Sequence, residues 1–406
     1  MPAGIRHDDL RRRNRAMVIA EVRRSGQPSR TSIANATGLS HSTISAISSD
    51  LMGEGILVET ASAETAKSRR GRPQVGLGLN PKAAATVTIV LSLNHLVGAL
   101  IDYSGVMVAE ESCKLPTLEL SQEELIEACI AMVERLVKKN NTQRKILRLM
   151  IAVQGITDSH SRKMLWSPIT SHTDLELADL LEKRFGIPST VENDCNMITV
   201  ALRWRDPDRY KNDFIAILLS HGIGMGLMLK GELFTGTHSS GAEFGHMNHL
   251  PHGALCRCGR RGCVEAYAGN YAIWRNAHGL AEDVAPLVDI DDADMLELAE
   301  SARNHPGRVR DAFHTAGEAI GYGLGSMFAL IDPAPVAVVG IGAAAFDLIE
   351  PSLRDAIANT AGGQHNKAIS FAAIPDEFSL IREGSAMHAL THIDSAIFAP
   401  GNGTKT

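Results

Sequence analysis

Apolar residues recur along this chain with two different periods, and the change of period divides it. Residues 13–25 carry Ala16, Met17, Ile19, Ala20 and Val22 at helical spacing with arginines between them, which predicts an amphipathic helix with a basic face. Pro28 and Ser29 open a second helix, with Ser29 suited to cap it. Over residues 30–54, Ile33, Ala34 and Ala36 mark a short helix. Thr37-Gly38-Leu39-Ser40 follows, and then a helix carrying Ile44, Ile47, Leu51 and Met52. A helix-turn-helix needs this order: a small residue (Ala34) where the helices approach, a glycine (Gly38) for a left-handed turn, and Leu39, Ile44 and Ile47 to fill a small core. Gly55 ends the second helix, and residues 56–59 and 75–77 read as the two strands of a wing.

From residue 81 the pattern is α/β. Strand-like runs at 86–93, 96–102 and 106–112 precede a helix whose Ser121 and Glu124 form a capping box, with Leu125, Met132, Val133 and Leu136 on one face. A strand at 147–153, a helix at 177–185 and a short strand at 190–192 come next. The pattern then restarts with a hairpin (214–219 and 224–229), helices from 262 to 330 and a buried strand at 336–339. Two halves that each open with a hairpin predict a bilobed body with a ligand-binding cleft. The expected organisation is a winged helix-turn-helix over 1–80, a smaller lobe over 81–195 completed by a C-terminal helix at 379–395, and a larger lobe over 196–378 that carries the oligomerisation surface.

Charge separates the head from the body. Residues 1–80 hold 12 Lys and Arg against 7 Asp and Glu, whereas the remainder holds 28 against 39, within a net charge of -6. A basic head on an acidic body points to a polyanion partner for the head alone. No apolar run has the length of a membrane helix, and no apolar segment follows the N-terminal arginines, so a cytoplasmic location is expected and no membrane partner. Double-stranded DNA is the expected polyanion. Ser40 caps the second helix of the pair and leaves His41, Ser42, Thr43 and Ser45 near the end where bases are read, with Arg30 beside them. Hydroxyl side chains discriminate weakly between bases, so direct readout should be modest. Arg69, Arg70, Gly71 and Arg72 form a slim basic stretch between the wing strands, suited to a narrow minor groove.

Six cysteines in 406 residues make no disulfide scaffold, but Cys256, Cys258 and Cys263 lie within eight residues. Three thiolates in a loop shaped by Gly259 and Gly262 suit zinc, which takes four tetrahedral ligands. His246, His249 and His252 compete for the fourth place. A site closed by four protein ligands is structural.

The run Cys256-Arg257-Cys258-Gly259-Arg260-Arg261-Gly262-Cys263-Val264-Glu265 has the form CxCGxxGCxE. Glu243-Phe244-Gly245-His246 gives ExGH, and Glu192-Asn193-Asp194-Cys195-Asn196 is similar to an ENDAN segment with Cys for Ala. With the helix-turn-helix and Gly71-Arg72-Pro73, the chain resembles the ROK family (repressors, open reading frames, kinases) over nearly its whole length. Within it the likeness is to the repressor branch, whose members regulate glucose, xylose and N-acetylglucosamine genes. The resemblance implies an actin-like (ribonuclease-H-like) sugar-kinase fold behind the DNA-binding head. It also implies His246 as the fourth ligand of a structural Zn2+, and a sugar or sugar-phosphate effector held between the lobes by Asn193, Asp194, Glu243, His246 and Glu265. A homodimer or homotetramer on a DNA operator completes the expectation.

The kinase branch of the family would use Asp194 as a general base, and an ATP-dependent sugar kinase with an accessory head is the alternative reading. Phosphate binding by backbone N–H groups needs glycine-rich turns, however. Where the family has DxGGT, this chain has Val90, Leu91, Ser92, Leu93 and Asn94, and there is no glycine between Asn80 and Gly98. Asp194 is then a vestigial base position and the chain is expected to be no enzyme. The turn 220–226 and Gly340-Ile341-Gly342 keep family glycines as traces of ancestry. Gln154-Gly155 stands where relatives have Pro-Gly, and its loop is expected to select the sugar. A third reading is a regulator without effector, controlled by a protein partner.

Overall fold

A computed structural model describes residues 7–61, 75–141, 143–237, 241–286, 290–363 and 369–400. The chain forms two compact units. One comprises Met1–Ile151, Glu176–Thr190 and Ser385–Thr406, the other Ala152–Leu175 and Val191–Gly384. The expected division at 195/196 therefore falls inside a helix, Asp194–Arg205.

The first unit opens with helices His7–Ser25, Arg30–Thr37 and His41–Gly53. Ser29 and Ser40 cap the second and third, accepting from Ser32 N and Thr43 N. Gly38 ends the second helix in the left-handed region at φ 71°, so the chain turns at once without strain. Strands Leu57–Ala61 and Val75–Leu79 pair antiparallel, and Leu77 N donates to Pro28 O, which ties the hairpin to the helices. The expected basic face of the first helix needs correction. Arg15 and Arg23 point inward, with side chains 2% and 3% exposed, because carboxylates meet them there, half-buried Glu54 for Arg15 and buried Asp394 for Arg23. Val18, Ile19 and Val22 share a core with Ile33, Ile44, Ile47 and Leu51, and also with Leu390 and Ile393 from far along the chain.

Two five-stranded sheets follow the same plan. The first has the strand order Met107–Lys114, His95–Asp102, Ala85–Ser92, Ile146–Val153, Ser189–Asn193. The second runs Glu232–Phe234, Ile223–Leu229, Phe214–Leu219, Val336–Val339, Phe371–Ile374. In the second, an antiparallel meander is extended by two parallel strands, Ile215 lying opposite Val336 and Val336 opposite Phe371. Parallel strands need crossovers, and the helices Arg308–Ile331 and Phe346–Ala358 supply them with buried faces. The capping box at Ser121 forms as expected. Among the described residues no helix is long and apolar enough to cross a membrane.

Candidate functional site

The second unit contains a pocket enclosing about 900 Å³, part of it open to solvent. Its floor is the start of the helix Asp194–Arg205. Asn193 caps that helix: its side-chain oxygen accepts from Asn196 N at 3.1 Å and its Nδ2 donates to Gly155 O at 2.7 Å. Asp194 follows, 5% exposed, with Oδ1 accepting from Cys195 N at 2.8 Å. Burial pushes the Asp194 carboxyl up to about 7 against the pull of the Cys195 hydrogen bonds, and the charge of Glu243 adds to the rise. The hairpin Phe214–Leu229 lies directly on this helix. A Cβ on Gly224 would strike Cys195 Sγ, and one on Gly226 would strike Thr199 Oγ1 and the Cys195 carbonyl. Close packing of hairpin on helix thus accounts for glycines that resemble a nucleotide turn in the sequence.

The three carboxylates differ in their surroundings. Glu265 is 6% exposed and committed to the scaffold: Oε2 accepts from Ile223 N at 3.1 Å, and Oε1 accepts from the Tyr271 hydroxyl at 3.3 Å. A Cβ on Gly222 would come within 2.6 Å of Oε2, so that turn glycine makes room for the carboxylate. Glu243 is more open; burial raises its pKa while His246 opposes the rise. His246 turns Nε2 toward Glu243, 3.9 Å from Oε2, and Nδ1 toward Cys256 Sγ at 3.8 Å.

His246, Cys256, Cys258 and Cys263 place their ligand atoms within 4.8 Å of one another. Cys258 and Cys263 sulfurs are 3.8 Å apart. A tetrahedron with metal–sulfur bonds of about 2.3 Å has an edge of about 3.8 Å, so the donor set fits zinc in number, type and spacing. Gly259 and Gly262, both at φ 82°, shape the loop. Burial pushes the Cys263 thiol up to about 11 and Cys256 further, Glu265 adding to the latter. Thiolates in such a place call for a cation among them. His249 and His252 lie outside the cluster, His249 packing on Tyr267 with ring centroids 5.0 Å apart.

Asn193, Asp194, Glu243, His246 and Glu265 all line the one pocket, and so does Gln154 from the loop singled out in the sequence. Trp166, Asn196, Ser220 and Arg257 line it too and were not foreseen. The signal for Arg257 was a charged residue between two ligand cysteines; its guanidinium lies 4.9 Å from the Tyr271 ring centroid. In the head, His41, Ser42 and Ser45 are exposed on the first turns of their helix and Thr43 is half-buried. Ser40 is spent on capping, and Arg30 pairs with Glu59 at 3.3 Å. Arg69, Arg70, Gly71 and Arg72 lie outside the described residues.

Comparison with known proteins extends these observations. The chain is 25% identical over 295 residues to a xylose repressor of Bacillus spizizenii, covering 71% of this chain and 75% of that one. It is 23% identical over 352 residues to the DNA-binding transcriptional dual regulator NagC of Escherichia coli K12, covering 86% of each. Among solved structures, a ROK family transcriptional regulator described as a homolog of the E. coli MLC protein superposes with TM-score 0.79 at 20% identity, over 97% of this chain and 100% of that one. A ROK family glucokinase from Streptomyces griseus, solved with glucose and AMPPNP, gives TM-score 0.60 at 22% identity over 75% of this chain and 99% of that one. The two-sheet body is thus a fold shared with regulators and sugar kinases alike. The sequence profile of the ROK family matches residues 87–377, both sheets and the cysteine loop included, and the chain belongs to that family.

Proposed function

We propose that this chain is a sugar-responsive DNA-binding transcriptional regulator, a repressor of carbohydrate uptake or catabolism genes. One observation carries the reading: a helix pair with a left-handed glycine turn and an exposed, hydroxyl-bearing helix start stands on the same chain as a pocket lined by carboxylates and amides. The three N-terminal helices with their hairpin act as a winged helix-turn-helix. His41, Ser42 and Ser45 face the major groove, and the segment with Arg70 and Arg72 follows the minor groove. A sugar or sugar phosphate occupies the pocket, its hydroxyls bound by Asp194, Glu243, the free edge of Asn193 and His246 Nε2. Glu265 holds the pocket wall in place. His246, Cys256, Cys258 and Cys263 hold a structural Zn2+, which fixes the His246 ring and leaves no open position for catalysis. A homodimer or homotetramer in the cytoplasm meets a pseudopalindromic operator. Effector binding shifts operator affinity in proportion to its preference for one arrangement of the chain.

A binding protein is favoured over a kinase by the first hairpin. Val90, at the family's aspartate position, is 2% exposed and paired with Val97, and Leu91 and Leu93 are buried. Asn94 takes the turn at φ 55°, and its N–H is bonded to Thr117 Oγ1 at 3.2 Å. A donor that a phosphate would use is therefore occupied. Asp194 keeps the position of the base and accepts a hydrogen bond from the effector.

The test is a gel-shift on DNA selected by the protein, with D-xylose, D-glucose, N-acetylglucosamine and their phosphates added, alongside incubation of each sugar with ATP. Release or retention of DNA by one sugar, without phosphorylation, is the expected result. Turnover of ATP that depends on Asp194 would establish the kinase instead. DNA binding indifferent to every sugar would favour control by a protein partner.

A further inference from the structure

One helix belongs to both compact units. Glu377–His392 starts in the second unit, and the boundary falls within it, after Gly384. At its start Glu377 accepts a hydrogen bond at 3.2 Å from Ser220, a residue of the pocket wall. Arg205 then grips it twice, donating to Glu383 at 2.7 Å and to Ser379 at 2.9 Å. Arg205 ends the helix whose first turn carries Asp194. Gly384 completes this bearing: a Cβ there would collide with the carbonyl of Met197, so the backbones of the two helices touch.

In the first unit the same helix runs on and passes into a wider turn, Ile393–Phe398. Asp394 on that turn is 5% exposed. Arg23 of the first helix donates to both its oxygens, at 2.7 and 2.8 Å, and to the Tyr103 carbonyl at 3.0 Å. The Tyr103 hydroxyl donates to Asp394 at 2.6 Å. Burial works against the Arg23 charge, and Asp394 more than restores it. Arg15, two turns earlier, donates to the Phe398 carbonyl at 3.0 Å and pairs with Glu54 at the end of the helix His41–Gly53. A buried ion pair such as Arg23–Asp394 contributes little net stability, and the best-attested use of such groups is to fix one geometry.

We propose that this C-terminal helix is the transmission element between effector pocket and DNA-binding head, with Arg205 and Gly384 as its bearing on the pocket helix and Asp394 as its clamp on the head. The proposal rests on the regulator reading above. Close-packed elements shift between discrete arrangements and do not deform smoothly. A displacement of the helix Asp194–Arg205 by a bound ligand moves its partner helix through a glycine contact that has no slack. Asp394 passes the displacement to Arg23 and so to the helix that supports the DNA-reading pair. The two sites are then linked by a coupling free energy.

A thermodynamic cycle tests this before any effector is known. The probe is a duplex selected from random-sequence DNA by the wild-type protein, with affinity read by fluorescence anisotropy and folding checked by circular dichroism. Arg205→Ala should change the affinity by about threefold or more in the wild-type chain and by less than about 1.5-fold in an Asp394→Asn background, because the clamp is then already released. Gly384→Ala and Tyr103→Phe serve as the second bearing and clamp variants should either of the others fail to fold. Equal changes in both backgrounds, or no change from Arg205→Ala in the wild type, overturn the proposal. A wild-type chain that selects no duplex overturns the regulator reading, and the proposal falls with it.

Discussion

Asp194 holds a proton in the native protein through a range of pH in which the unfolded chain has released it. Its carboxyl titrates near 7 when buried and near its ordinary value of 3.8 when exposed. Between those values the unfolded state binds fewer protons than the native state, so this group's contribution to stability falls as pH rises through the window and levels off above it. Asp194→Asn removes the dependence. The variant should gain stability relative to wild type between pH 5 and pH 8, by up to about 4 kcal/mol, in denaturant titrations at each pH. Parallel pH profiles for the two proteins would show that the carboxyl is not desolvated. Cys258→Ser removes one corner of the proposed zinc site. Elemental analysis should find the zinc lost, and sugar binding should fall because His246 loses its anchor; a metal-free variant with intact binding would contradict this.

At the scale of elements, the hairpin Phe214–Leu229 is set against the pocket helix by glycines. Gly226→Ala should cost about 3 kcal/mol in chemical denaturation, because the added carbon meets the backbone of Cys195 as well as a side chain, and backbone cannot rotate away. A loss below about 1 kcal/mol would mean that strand and helix separate easily. These elements were largely legible in the sequence because their signals are local. Ser29, Ser40 and Ser121 cap where expected, Gly38 turns, and the helix Leu177–Phe185 has the limits that its periodicity gave. The pocket was legible in part, since Asp194, Glu243 and His246 stand in recognisable motifs. Other features depend on partners distant in the chain. Arg15 and Arg23 read as a solvated basic face because their partners Phe398 and Asp394 lie hundreds of positions away. Gly384 and Arg205 carry no motif, and only the packing of two helices shows why they are there. Asn193 reads as a ligand-binding amide, yet its side chain is largely occupied as a helix cap.

At the scale of the whole chain, residues 1–80 are net basic and the remainder net acidic, so a polyanion is favoured by the head and disfavoured by the rest. Replacing Arg70 or Arg72 with Ala should weaken operator binding and reduce the slope of log K against log salt by about 1 for each phosphate contact removed. A slope unchanged by both substitutions would place that stretch away from the DNA. The clamp at Asp394 also bears on how the protein is made. Arg23 emerges from the ribosome 371 positions before the carboxylate that neutralises it, and Val18, Ile19 and Val22 wait as long for Leu390 and Ile393. The helix His7–Ser25 therefore depends for part of its anchorage on a segment made much later. Translation products that stop short of Leu390 would leave the first helix without that support.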